Sequence, residues 1–72
     1  MSKLLRKKEY KDAEDNLISV VFDFENDKGE IHHQGLNEEH LLLSPEEQKE
    51  IAIEMFTASQ TKEVIIELNE EF

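Results

Sequence analysis

The stretch EIHHQGLNEEH, residues 30–40, sets three histidines and three glutamates within eleven positions. Imidazole nitrogens and carboxylate oxygens are ligands that zinc takes three or four at a time, and histidine or carboxylate side chains are the usual general acids and bases. His33, His40 and Glu38 or Glu39 are the set that could converge on an ion, provided the chain turns at Gly35. Strand geometry opposes this. On an extended run His33 shares a face with Ile31, while His32 lies on the other face with Glu30 and Gln34, so the adjacent imidazoles cannot ligate one metal. The spacing also lacks the H-E-x-x-H pattern that places two histidines on one side of a helix. The expectation is therefore of strand and loop histidines, with no metal, no cofactor and no catalytic residue.

Other chemistry is equally sparse. The chain has no cysteine, which removes thiolate nucleophiles, soft metal ligands and disulfides together. Gly29 and Gly35 are its only glycines, so neither G-x-x-x-x-G-K-[ST] nor G-x-G-x-x-G can be present. Residues 23–34, DFENDKGEIHHQ, begin like a calcium loop, but the glycine stands seventh rather than sixth and Gln34 occupies the closing Glu position. A chain of 72 residues can scarcely enclose a substrate cleft of roughly 300 Å³. No enzyme is expected.

The elements that would position these residues follow from periodicity and caps. Residues 1–14 hold Leu4, Leu5 and Tyr10 among helix-compatible cations, and read as a basic arm or a short N-terminal helix. LISVVFDFE, residues 17–25, alternates strictly: Ile18, Val20, Phe22 and Phe24 take one face, and Leu17, Ser19, Val21, Asp23 and Glu25 the other. Asn26, Asp27 and Lys28 suit a type I turn, and Gly29 can supply the positive φ of a following bulge, folding the strand back into residues 30–34. HLLLS, residues 40–44, reads as a third strand. SPEEQKEIAIEMF is the clearest helix: Ser44 caps it, Pro45 occupies the first turn, and Glu47 completes a capping box. Ile51, Ala52, Met55 and Phe56 form its apolar side. KEVIIELNE, with Val64, Ile66 and Leu68 alternating against Ile65 and Glu67, reads as a closing strand. The predicted fold is α+β, in the order (α)-β-β-(β)-α-β. A small antiparallel-rich sheet carries one long helix on one face, and residues 15–72 form a single acidic domain.

Charge directs the functional expectation. Eighteen Asp and Glu against eight Lys and Arg leave a net charge of −10. The balance is uneven: residues 1–11 are +4 and the remainder −14. Such a body repels nucleic acid and anionic membrane and attracts basic protein surfaces. MSKLLRKKEYKD is followed by no apolar run of the length a secretory leader needs, and no apolar stretch approaches 20 residues, so a cytoplasmic, soluble chain is expected. The leading expectation is a small acidic protein that docks on a basic, even nucleic-acid-binding, surface of a partner as inhibitor, antirepressor or accessory factor. Asp23, Glu25, Asp27, Glu30, Glu38 and Glu39 would contact it, in the sharpest form imitating DNA phosphates. Val21 and Ile65 would supply an apolar strip on the sheet face away from the helix. The alternative is a structural or assembly protein that forms a homo-oligomer, at its simplest a homodimer, through that sheet.

Overall fold

Two hairpins built on one turn design organise the chain. In the computed structural model, which describes residues 1–60 and 64–72, strands β1 (Lys3–Lys11), β2 (Leu17–Glu25) and β3 (Ile31–Gly35) form an antiparallel sheet in the order β1-β2-β3. A 3-10 helix (Glu38–Leu42) and helix α1 (Pro45–Ser59) follow. At the first turn the Asp12 N–H donates to the Asn16 carbonyl and the Asp15 N–H to the Asp12 carbonyl, both at 3.0 Å. The Asp12 carboxylate also accepts from the amides of Glu14 and Asn16, each at 2.9 Å. The second turn repeats all four bonds. Asn26 and Gly29 donate to the carbonyls of Glu30 and Asn26 at 3.0 Å, and the Asn26 side chain accepts from Lys28 and Glu30 at 2.9 Å. Each turn needs a left-handed residue at its fourth place: Gly29 takes φ 78°, and Asp15 takes φ 68° with a Cβ.

The α+β class is what the structure shows, but several elements differ from the expected order. The N-terminal segment is a strand, because its register against β2 runs from Lys3↔Glu25 to Lys11↔Leu17 and buries the backbone polar groups that an isolated short helix would leave to water. Residues 38–42 wind into a 3-10 helix rather than a strand, since the Asn37 side chain and the His40 imidazole cap each other's turn across a capping box. Residues 64–72 carry no regular secondary structure and are exposed throughout, so the expected closing strand is not part of the sheet. The first two residues of that expected strand, Lys62 and Glu63, lie outside the described residues. The hairpin at Asn26–Glu30 and the helix start at Ser44 stand where the sequence placed them, with the Glu47 N–H donating to Ser44 Oγ at 3.3 Å.

Helix α1 packs against β2 and β3. Val20, Phe22, Phe24, Ala52 and Phe56 make the buried core, with Leu17, Leu36 and Leu41 packed at its margin. The rings of Phe24 and Phe56 stack with centroids 4.3 Å apart and planes 8° from parallel. The helix stripe centres on Gln48, Ala52 and Phe56, four apart, and leaves Ile51 and Met55 half-buried on its flanks. Gln48 is buried without loss, because its amide donates to the carbonyls of His40 and Leu41 at 3.2 and 3.4 Å and its oxygen accepts from Lys7 Nζ at 3.0 Å. One side chain thus joins the 3-10 helix, α1 and β1.

Two substitutions test this reading. Gln48→Leu leaves an ammonium and two carbonyls short of a partner and lowers unfolding free energy by about 1–3 kcal/mol in urea titrations. Asp15→Gly relieves the left-handed strain and raises it by about 0.5–1 kcal/mol, the exposed Lys11–Asp15 pair at 3.7 Å counting for little.

Candidate protein-binding surfaces

The uncovered sheet face is organised around one carboxylate. Asp23 points away from α1, is 1% exposed, and is enclosed by Arg6 and Lys8 of β1 and His33 of β3. Arg6 Nε and Lys8 Nζ approach its Oδ2 at 3.4 and 3.3 Å, and His33 Nδ1 meets its Oδ1 at 2.6 Å. Register explains the row, since Arg6, Asp23 and His33 are consecutive cross-strand partners. Burial raises the Asp23 pKa, and the hydrogen bonds and charges of His33 and Lys8 more than reverse it, leaving the carboxyl below its ordinary value of 3.8. Asp23 is therefore a matched anion at the centre of the open face rather than a free acid. Its bond to His33 holds that imidazole with Nε2 directed away, an orientation that acid–base chemistry also uses. The cavities at the sheet margins and beside the 3-10 helix have other residues in their walls.

The two remaining histidines serve packing and capping. His32, on the helix side, sets its ring edge-on to Phe56 at 5.3 Å and lies within 3.2 Å of the Gln34 side-chain oxygen. His40 Nδ1 accepts from the Asn37 amide at 3.3 Å. Among the described residues no three His, Asp or Glu side chains are placed to hold a metal ion. No described helix is long and apolar enough to cross a membrane.

The other expected contact residues fall at two ends of the sheet. Glu25, Asp27 and Glu30 gather at the β2–β3 turn, where Asp27 pairs with the Met1 amino group at 2.6 Å and Asn26 Nδ2 donates to Glu30 at 3.3 Å. Glu38 and Glu39 stand beyond the opposite end of β3, on the 3-10 helix. Val21 is half-buried beside Lys8 and Gly35 on the open face, whereas Ile65 is 73% exposed outside the sheet. Leu17 turns to the core margin. The apolar strip that would have joined Val21 to Ile65 on one sheet face is therefore not assembled.

Sequence reasoning missed a different grouping. Antiparallel connectivity places the β1–β2 turn, with Asp12, Glu14 and Asp15, at the same end of the sheet as the 3-10 helix and the first turn of α1, with Glu38, Glu39, Glu46 and Glu47. The basic side chains near these acids sit at long range: His40 to Glu39 at 3.6 Å, Lys11 to Asp15 at 3.7 Å and Lys49 to Glu46 at 3.9 Å. Amid them Leu42 is 94% exposed. The signal available in the sequence was the Asp12–Asn16 spacing, which matches Asn26–Glu30 once Asp is accepted at the left-handed position. Comparison with protein-family models, with curated proteins and with solved structures returns no match.

The depressed Asp23 pKa has a definite sign. A carboxyl whose folded value lies below its unfolded one contributes stability at pH values above the unfolded value and loses it as pH falls through the folded one. Unfolding free energy measured by urea titration should accordingly drop on acidification below the ordinary 3.8. Asp23→Asn should be less stable than the parent at neutral pH and should show a shallower acid dependence.

Proposed function

We propose that the chain is a non-enzymatic, protein-binding module that presents its acidic end to a basic surface of a partner, as an inhibitor or accessory factor. The observation that carries this reading is Leu42, almost wholly exposed on a helix turn flanked by Glu38 and Glu39. An apolar side chain ringed by carboxylates combines a desolvated anchor with long-range attraction to cations. The reading shifts the contact set from Asp23, whose charge is already matched, toward Glu38, Glu39 and the acids of the first turn. DNA mimicry is the narrower form and needs a regular row of free carboxylates; grouping at an end favours the broader form. A second reading, self-association, draws support from the sheet itself, because β1 and β3 each have one strand neighbour and so one open edge.

The test is capture from a lysate of the native cell on the immobilised full chain, with washes at about 50 and about 500 mM salt. A basic protein retained at low salt, released at high salt, and held at least about ten-fold less by Leu42→Asp or by Glu38→Gln with Glu39→Gln is the expected result. Retention indifferent to all three positions overturns it.

A further inference from the structure

The C-terminal segment VIIELNEEF, residues 64–72, is exposed along its whole length, yet its pattern is that of a half-buried strand. Val64, Ile66 and Leu68 are between 71% and 77% exposed. Three apolar side chains in alternation, held in water, give a strand's pattern to residues that carry no regular secondary structure in the single chain.

A matching place exists on the sheet. Among the described residues the outer edge of β1 has no strand partner, and on its helix side a groove of about 290 Å³ opens between Leu4, Phe24, Ile53 and Phe56. Leu4 and Ile53 remain 38% and 40% exposed there. Strand β1 and residues 64–72 are also opposite in charge: β1 carries Lys3, Arg6, Lys7, Lys8 and Lys11 against Glu9, and the segment carries Glu67, Glu70 and Glu71 with no cation.

We propose that residues 64–72 of one copy add as a fourth strand to the free edge of β1 in a second copy, with Val64, Ile66 and Leu68 entering the groove beside Leu4 and Ile53. Reciprocal exchange closes a two-fold dimer. Alternation then brings Ile65 and Glu67 to the open sheet face, beside its cations. The inference rests on the self-association reading and is independent of the acidic end and Leu42.

Sedimentation equilibrium of the full chain should give about twice the 8.5 kDa chain mass. Ile66→Asp, which touches none of the described core, should weaken the dimer at least about 100-fold, counting one buried isoleucine lost at each of two equivalent contacts. Leu42→Asp should leave the dimer intact, so that failure here and failure of the acidic-docking reading are told apart. To locate the contact, isotope-labelled chain is mixed with unlabelled chain carrying a nitroxide on Phe72→Cys, the sequence having no other cysteine. Broadening of the β1 amides is expected. A monomer at about 100 µM, as when the segment folds onto its own β1 or awaits a different protein, overturns the proposal. So does a dimer that survives Ile66→Asp, or broadening confined to β3.

Discussion

The flat stack of Phe56 on Phe24 fixes where the helical layer sits, and nearly everything else in the molecule depends on it. Among the described residues five apolar side chains are buried, so the contact between layers is narrow and each ring is a large share of it. Phe24 pairs across the sheet with His32, whose ring edges onto the same Phe56, and the junction thus draws in β3 as well as β2. Toward the other end of the helix Gln48 holds the 3-10 turn and Lys7 by hydrogen bonds instead of apolar area. Apolar packing at one end of α1 and a satisfied polar clamp at the other set its direction over the sheet.

That arrangement separates charge by layer. The helical elements expose Glu38, Glu39, Glu46, Glu47, Glu50 and Glu54, while the open sheet face presents Arg6, Lys8 and His33 around a carboxylate they have already matched. A net charge of −10 consequently describes neither surface. A partner approaching from the acidic end meets an anion; one approaching the sheet meets a face of mixed sign with exposed Tyr10 and Ile31. Binding by such a molecule is a matter of orientation as much as of total charge.

How much of this was legible in the sequence depended on whether a pattern was local. Alternation in residues 19–25 and the Ser44 cap of α1 are settled by neighbours a few places apart and stand as read, whereas at the start of the strand Leu17 turns to the core margin and Ile18 is 59% exposed. β1 was hidden because its cations suppress the apolar alternation that marks a strand; what makes it one is pairing with β2, a tertiary effect. The first hairpin escaped notice because Asp15 does a glycine's work. HLLL looked like a strand on composition, yet Asn37, His40 and Gln48 supply the bonds of a helical turn. Asp23 illustrates the limit most directly: its face was legible from parity, but its burial came from partners on two other strands. Residues 64–68 show the reverse case, a clear strand pattern with no edge occupied in the single chain.

The lysine-lined rim of β1 also governs how the protein behaves in concentrated solution. An unpaired strand edge invites indiscriminate pairing with any extended chain, and a row of ammonium groups discourages it by repulsion and by the cost of stripping their water. That protection is electrostatic and reaches about 10 Å at 0.1 M salt but about 3 Å at 1 M. Added salt therefore weakens the guard on the edge of any copy not paired through residues 64–72, together with exposed Leu4 and Leu5.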